Sequence, residues 1–342
     1  MDFKPLIGAL STAEEAVLLV GAGISYGKIP TGYQLPIQFG EQHRELMRAL
    51  GLFEDWEKAY GVKDWTVQKP FVEKLVDAFS QEENLALQQT LVDWMQRYKN
   101  MMGARSNIHA TFVIAWLLGI FEHLITTNWD FLLEWQIDKI YYDPRKHTFP
   151  FEPSEFTFKN GTSYSIDPDN LYVPEPLDED EEEFFWAPRW DIMSTPGDLD
   201  RLQEWTRPLW KIHGSPFFLA CPKCGGQSYW QVRKRRPRVG DPCPVHPDQR
   251  LEPEITFWGQ SIDEPYPEVW GEVKARLERA DLIVVCGLSG SGSDSYIRRV
   301  VEANANVWLV NPSPGDWDLS AVHHVKAKSA QFAARLRGAF LT

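Results

Sequence analysis

The segment Val17-Leu18-Leu19-Val20-Gly21-Ala22-Gly23-Ile24-Ser25 decides the fold. Its first four residues are wholly apolar, which predicts a buried strand of a parallel sheet, and the small residues after them predict a tight turn. Such a turn lets backbone amides approach a pyrophosphate, and Ser25 can add a hydroxyl contact. The next glycine is Gly27, so the spacing departs from the standard dinucleotide fingerprint, and a plain turn explains it equally well.

Four more short apolar runs have the composition of buried strands. They are His123–Thr126, Leu209–Ile212, Leu282–Cys286 and Val307–Val310. Helical patterns alternate with these runs, and that alternation predicts an α/β fold built on a Rossmann-like parallel sheet. Ligands of such sheets bind at the carboxyl ends of the strands, so the residues that follow each run are the candidates for a functional site.

Three segments interrupt the alternation and set the predicted domain organisation. Residues 37–105 have helical spacing and form a helical insert, while residues 141–208, with the run Asp178–Glu183, form an acidic, loop-rich insert. The third segment, residues 216–260, contains most of the cysteines. The Rossmann-like domain is then assembled from residues 1–36, 106–140, 209–215 and 261–342.

Composition excludes several classes of protein. The chain has 342 residues, 43% of them hydrophobic and 24% charged, as in an ordinary globular protein of about two domains. A net charge of −13 disfavours a main role in binding nucleic acid or an anionic membrane. The basic run Arg233–Arg238 is more simply neutralised by the acidic run Asp178–Glu183. No signal peptide and no apolar run of about 18 residues is apparent, so we expect a cytoplasmic protein without a membrane span.

Polar side chains follow two of the predicted strands. Asn128 and Asp130 come after His123–Thr126, where an amide can orient ribose hydroxyls or a water and a carboxylate can accept from a carboxamide; an Asn-Asp helix cap is the alternative. His213 follows the strand at 209–212 and is the best candidate for a general base among the eight histidines. Most single histidines are structural, but this one shares a predicted edge with Gly21 and Asn128.

The cysteine spacing predicts a metal site. Cys221 and Cys224 form one pair, and Cys243 with His246 forms a second after eighteen intervening residues. Pairs at this spacing are typical of zinc ribbons, so residues 216–260 are predicted to be one. Four protein ligands close the coordination sphere, which makes the zinc structural. Cys286 lies at a strand end and is most simply a small buried hydrophobe.

The joint order of these motifs resembles that of the sirtuin superfamily. The matching stretches, together with the two ligand pairs, are Gly21–Ser25 with Ile29-Pro30, Ser106–His109, Thr127–Asp130, His213-Gly214, Phe257–Gln260, Gly287–Ser289 and Asn311-Pro312. Each match is short, and only their order along nearly the whole chain is specific. The resemblance implies a Rossmann-like sheet with a zinc ribbon and a helical module, and it implies NAD as the ligand, consumed as a substrate.

The resemblance also implies roles for individual residues. His213 would be the base, Asn128 would contact the nicotinamide ribose and Asp130 the carboxamide. Ser289 and Asn311 would hold the adenosine half. The full set of residues expected to bind NAD is Gly21, Ala22, Gly23, Ser25, Thr127, Gly287, Ser289 and Asn311.

Two departures bear on the activity. Protein deacylases have Asp-Phe-Arg after the Ile-Pro pair, whereas this chain has Thr31-Gly32-Tyr33. Asn128 and His213 are also 85 positions apart and enclose the acidic insert, which resembles the sirtuin-like NAD hydrolases of bacterial defence systems. The retained zinc pairs resemble deacylases instead.

We therefore expect an enzyme that hydrolyses NAD to nicotinamide and ADP-ribose, in the manner of an antiphage defence effector. An NAD-dependent lysine deacylase or ADP-ribosyltransferase is the first alternative, with residues Phe257–Gln260 pairing to a peptide. A non-catalytic, nucleotide-sensing module is the second. Whether a homo-oligomer or a partner protein triggers activity is left open by the sequence.

Overall fold

The computed structural model describes most of the chain outside the acidic insert. The described residues are 2–26, 29, 34–62, 64–80, 84–97, 107–130, 132–134, 136–137, 155–157, 163–165, 192–193, 208–221, 223, 238–243, 246–255, 267–291 and 294–340. Several predictions concern residues outside these ranges: Cys224, the loop Thr31–Tyr33, the stretch Phe257–Gln260, the acidic run Asp178–Glu183 and most of the basic run. No described helix is long and apolar enough to cross a membrane.

The centre of the fold is a parallel sheet of seven strands. Six form its body, and the two-residue strand β5 lies at one edge. The strands are β1 (Ala16–Val20), β2 (His123–Thr126), β5 (Ile192–Met193), β6 (Leu209–Lys211), β9 (Leu282–Cys286), β10 (Val307–Val310) and β11 (His323–Val325). Their order is β11-β10-β9-β1-β2-β6-β5, and every pairing is parallel. The predicted α/β class with a Rossmann-like sheet is confirmed.

Two short hairpins lie outside this sheet. β3 (Glu155–Thr157) pairs with β4 (Ser163–Ser165), and β7 (Gly214–Ala220) pairs with β8 (Glu252–Ile255), both antiparallel. Leu209–Ile212 was predicted as one strand, but β6 ends at Lys211. The chain then turns through Gly214, whose φ of +64° is in the left-handed region, and enters β7.

Besides the helical residues 132–134 and 136–137, ten helices are described in the same part of the chain. They are α1 (Lys4–Thr12), α2 (Gln34–Gln42), α3 (Arg44–Ala49), α4 (Phe53–Ala59), α5 (Trp65–Ser80), α6 (Leu85–Arg97), α7 (Asn107–Leu117), α8 (Pro267–Arg279), α9 (Ser295–Glu302) and α10 (Ser329–Phe340), with a 3₁₀ turn at Ala22–Ser25. Helices α2 to α6 fall in or beside the segment predicted to be a helical insert.

The alternation of side chains along β1 explains the two layers of core. Leu18 and Val20 belong to the larger apolar cluster, which includes residues of α1, α7, α10 and the helical segment. Val17 and Leu19 point the other way, into a second cluster with α8 and α9. All five residues of β1 are buried, as expected for a strand covered by helices on both faces.

The strand order places a topological switch at β1. The chain runs from β1 to β2 on one side, and β9 pairs with β1 on the other. In a parallel sheet, loops that leave neighbouring strands in opposite directions open a crevice at the carboxyl ends. The segments after β1, β2, β6, β9 and β10 all lie along that edge, so the sheet gathers the sequence-predicted NAD-binding residues there.

Candidate functional site

The loops after β1 and β9 are in direct backbone contact. The N–H of Gly23 donates to the carbonyl oxygen of Gly287 at 2.8 Å. A Cβ atom on Gly23 would lie 2.7 Å from the Gly287 Cα, and Gly287 itself has a φ of +72°. Glycine is therefore required here by the approach of two backbones, whether or not a phosphate also binds.

Ser25 is the centre of a buried hydrogen-bond network. Its hydroxyl donates to Asp130 Oδ2 at 2.8 Å, and it accepts from Asn128 Nδ2 at 3.2 Å. The Nε2 atom of His109 lies 3.1 Å from the same oxygen. Since the single hydroxyl proton goes to Asp130, His109 donates through Nε2. The network joins residues from the β1 loop, the β2 loop and α7.

Asp130 uses both carboxylate oxygens within the protein. Oδ2 accepts from Ser25, and Oδ1 accepts the N–H of Leu132 at 3.1 Å. The second bond is the helix-cap arrangement that the sequence left as an alternative. Asp130 is thus held rigidly at the edge, where it fixes the position of the Ser25 hydroxyl.

Lys211 fixes the backbone of the same loop from β6. Its ammonium donates to the carbonyl oxygens of Asn128 and Asp130, at 2.6 and 2.7 Å, and lies 2.9 Å from Glu134 Oε1. The side chains of Lys211 and Glu134 have no exposed surface. Two backbone carbonyl oxygens accept from the buried ammonium and the Glu134 carboxyl lies beside it, which offsets the cost of burying the charge.

His213 is buried with one ring nitrogen available. Burial is the main reason that the pKa of His213 falls to about 4. A hydrogen bond to the Thr127 backbone raises the pKa in part, and the charge of Lys211 lowers it further. That bond raises the pKa because the ring donates to the Thr127 carbonyl. Nε2 has no hydrogen-bond partner among the described residues. The donor is therefore Nδ1, and Nε2 has a free lone pair in the neutral ring.

Asp294 faces His213 across the edge. Its Oδ1 lies 3.9 Å from His213 Nε2, and burial raises the pKa of the carboxyl to about 7. Asn128 Oδ1, His213 Nε2 and Asp294 Oδ1 are among the buried side-chain atoms that lack a hydrogen-bond partner in the described part of the chain. Unsatisfied buried polar atoms are costly, so their presence at a strand-end crevice marks a place where a polar ligand would complete the site.

The remaining predicted NAD-binding residues have different surroundings. Both polar side-chain atoms of Asn311 are hydrogen-bonded: Oδ1 accepts from the Gly287 N–H at 3.0 Å, and Nδ2 donates to the Leu288 carbonyl at 2.6 Å. Ser289 is exposed and hydrogen-bonds Ser291 at 2.8 Å. The Thr127 N–H continues the pairing of β2 to the Val20 carbonyl. Asn311 therefore shapes the β9 loop through its side chain.

Sequence reasoning missed four polar side chains of this edge: His109, Glu134, Lys211 and Asp294. Two of them had a usable signal. His109 lies in a helix that is otherwise mostly apolar, and Lys211 interrupts the apolar run Leu209–Ile212; both are completely buried. A charge inside a predicted buried strand requires a partner. Glu134 and Asp294 had no comparable signal, because only the fold shows what they face.

A cluster of possible metal ligands lies in the β7–β8 region. Ligand atoms of Cys221, Cys243 and His246 lie within 4.8 Å of one another, with His246 Nδ1 at 3.9 Å from Cys221 Sγ. The backbone N–H of His246 donates to Cys243 Sγ at 3.4 Å. One tetrahedral zinc ion spans such a set with a small contraction. These residues could hold structural zinc; Cys224, the fourth predicted ligand, is outside the described residues.

Comparisons with known proteins point to one fold. No family model matches the chain, and no curated protein matches it. Solved structures do match. A mutant Sir2 homologue in complex with ADP-ribose has a TM-score of 0.53 at 16% identity, over 99% of this chain and 96% of that one. A structure of Sir2Tm bound to a propionylated peptide and one of Sir2 with a peptide and NAD⁺ each have a TM-score of 0.51 at 14% identity, over 99% of this chain and 98% of theirs. The protein therefore has the Sir2 fold.

Proposed function

We propose that this protein binds NAD at the strand-end crevice and cleaves the bond between nicotinamide and ribose, with water as the acceptor. The observation that carries the proposal is the group of buried, unpartnered polar atoms on Asn128 and His213, which follow β2 and β6 at the carboxyl edge of the sheet. Similar structures contain ADP-ribose or NAD⁺, which supports a dinucleotide as the ligand.

The two side chains suit the two tasks of the reaction. His213 Nε2 has the lone pair of a base, and its low pKa keeps it unprotonated at neutral pH. The Asn128 amide is held through Nδ2 by Ser25, which leaves Oδ1 to accept a hydrogen bond from a water. The Lys211 ammonium donates to the backbone carbonyl of Asn128, so the backbone and the side chain of Asn128 are both positioned before substrate binds.

The bond changes balance without a further reactant. As the carbon–nitrogen bond breaks, its electron pair stays on the nicotinamide nitrogen and neutralises the positive ring. The water oxygen bonds to the ribose carbon and passes a proton to a neighbouring ribose hydroxyl, whose own proton moves to His213 Nε2. His213 then releases that proton to solvent. A general base contributes about 10²- to 10⁴-fold to such a step.

Support for water as the acceptor comes from the sequence. Thr31-Gly32-Tyr33 replaces the deacylase loop residues, and the long segment between Asn128 and His213 resembles the defence NAD hydrolases. We extend the proposal to a role as a defence effector on the same grounds. The competing function is lysine deacylation, which the likeness to a peptide-bound Sir2Tm structure favours.

The test is incubation of the purified protein with NAD alone, followed by chromatography for nicotinamide and ADP-ribose. We expect turnover by the wild type, and a loss of about 10²- to 10⁴-fold in His213→Ala. His323→Ala, at an exposed histidine of β11, is the matched control and should retain full turnover. Equal ADP-ribose binding by wild type and His213→Ala, with no turnover in either, would instead support a nucleotide-sensing module.

A further inference from the structure

The carboxyl group of Asp294 is directed at the site rather than at its own helix. Asp294 is the residue before α9, where an aspartate usually caps the free N–H groups of the first turn. Its side chain makes no capping hydrogen bond. Oδ1 is instead buried and unpartnered, 3.9 Å from the unpartnered Nε2 of His213. Leaving both atoms without a hydrogen-bond partner is energetically unfavourable, so we expect a polar group of a ligand to lie between them.

The separation of the two atoms defines what fits. At 3.9 Å they are too far apart for a direct hydrogen bond, but one oxygen atom can lie about 2.8 Å from each. His213 Nε2 can only accept, because the ring proton is on Nδ1 and is donated to Thr127. Burial raises the pKa of Asp294 to about 7, so below that pH the carboxyl has a proton to donate.

A hydrogen-bond acceptor and a hydrogen-bond donor directed at the same point are matched better by a hydroxyl group than by a charged group. A hydroxyl oxygen donates its proton to one partner and accepts from the other. A phosphate oxygen has no proton to donate to Nε2, and an ammonium group has no lone pair for the Asp294 proton. The pair therefore discriminates in favour of a sugar hydroxyl and against the charged parts of a dinucleotide.

We propose that Asp294 is a further substrate-contacting residue, which together with His213 binds a single hydroxyl of the ribose adjacent to nicotinamide. The identity of that ribose rests on the proposed function. Through this contact Asp294 holds the hydroxyl that delivers its proton to His213, so it contributes to both binding and turnover.

The test compares two probes that differ in one sugar. ADP-ribose contains the terminal ribose and ADP lacks it, so calorimetric titration at pH 6 measures the contact without any need for turnover. We expect Asp294→Ala to weaken ADP-ribose binding about three- to tenfold, the size of one lost hydrogen bond, and to change ADP binding less than twofold. Asp294→Asn keeps a donor and should remain within about twofold of wild type for both probes.

A surface control and the remaining outcomes complete the test. Asp77→Ala, at an exposed aspartate of α5, should change neither affinity. Equal weakening of ADP and ADP-ribose by Asp294→Ala, no change in either, or an Asn variant as weak as the Ala variant would each overturn the contact. If Asp294→Ala weakens ADP-ribose binding selectively but the wild type does not turn over NAD, the contact is supported and the hydrolase proposal is contradicted. If the wild type turns over NAD but Asp294→Ala does not weaken ADP-ribose binding selectively, the hydrolase proposal is supported and the contact is contradicted. A wild type that binds neither probe would overturn both.

Discussion

Lys211 and Glu134 form an ion pair with no exposed side-chain surface, 2.9 Å from Nζ to Oε1. The same ammonium binds the backbone carbonyls of Asn128 and Asp130. A single charge on β6 therefore joins the loop after β2 to the neighbouring strand, and it binds the backbone of Asn128 itself. The pair contributes to the position of Asn128, and its loss should affect the site as well as the fold.

Lys211→Met is expected to lower the free energy of unfolding by about 3–5 kcal/mol, because it leaves Glu134 as an uncompensated buried charge. Urea denaturation measures this change. Lys223→Met is the matched control: Lys223 pairs with Asp248 on the surface, so its replacement should leave stability almost unchanged. Equal stability of the two variants would show that the buried pair does not tie β6 to the β2 loop.

The contact between the β1 and β9 loops predicts a strong effect of one methyl group. In Gly287→Ala the new Cβ would lie 2.7 Å from the Ile24 nitrogen in a backbone with positive φ. We expect a loss of about 2–4 kcal/mol in thermal or urea unfolding. Gly8→Ala in α1 meets nothing within 4 Å and should be neutral or stabilising. A Gly287→Ala protein as stable as Gly8→Ala would rule out this close approach.

The pKa shifts of His213 and Asp294 predict opposite dependences of stability on pH. The pKa of His213 falls from 6.5 to about 4, so its contribution is complete above pH 6.5 and is lost as the pH falls towards 4. The pKa of Asp294 rises from 3.8 to about 7, so its contribution is complete below pH 3.8 and is lost as the pH rises towards 7. Between pH 4 and 6.5 the two slopes oppose each other in the wild type.

Replacing one of the two groups should reveal the pH dependence that the other contributes to the free energy of unfolding. In Asp294→Asn the unfolding free energy should rise with pH across that window, by up to about 1.4 kcal/mol per pH unit relative to wild type. In His213→Gln it should fall with pH relative to wild type. Denaturant titrations at several pH values provide the measurement. Parallel pH profiles for wild type and both variants would mean that neither group has a shifted pKa.

The cluster of Cys221, Cys243 and His246 predicts one bound zinc ion per chain. The apolar cluster around it is small, so the metal should supply much of the local stability. Elemental analysis of protein purified without chelator should find about one equivalent. Chelation or Cys243→Ser should increase hydrogen exchange in β7 and β8 before the seven-stranded sheet is affected. Less than half an equivalent of zinc would count against the assignment.

The parallel sheet could be predicted because most of its strands have a recognisable local sequence. β1, β2, β9 and β10 are short runs dominated by apolar residues, each near small or polar residues, and the predicted and observed bounds agree within one residue. The strands β5 and β11 have two and three residues and no such pattern. Their place depends on pairing with β6 and β10, which the local sequence does not encode.

The candidate site was predictable to the level of strand ends and no further. Asn128, Asp130 and His213 were singled out because they follow predicted strands. The sequence did not indicate that the Asp294 carboxyl faces His213, because an aspartate before a helix is ordinarily a cap. Asn311 shows the opposite limit: its position was predicted, but its side chain is bound to the β9 loop. Sequence position indicates which edge a residue occupies, and packing decides which atoms remain free.

The most direct test of the proposed function is the acceptor of the ADP-ribosyl group. The measurement is the initial rate of nicotinamide release from NAD, with and without a saturating acyl-lysine peptide, and with both ADP-ribose and O-acyl-ADP-ribose quantified. For a hydrolase we expect equal rates in the two conditions and one ADP-ribose for each nicotinamide. Nicotinamide release that depends on the peptide, with O-acyl-ADP-ribose formed faster than ADP-ribose, would contradict hydrolysis and establish deacylation instead.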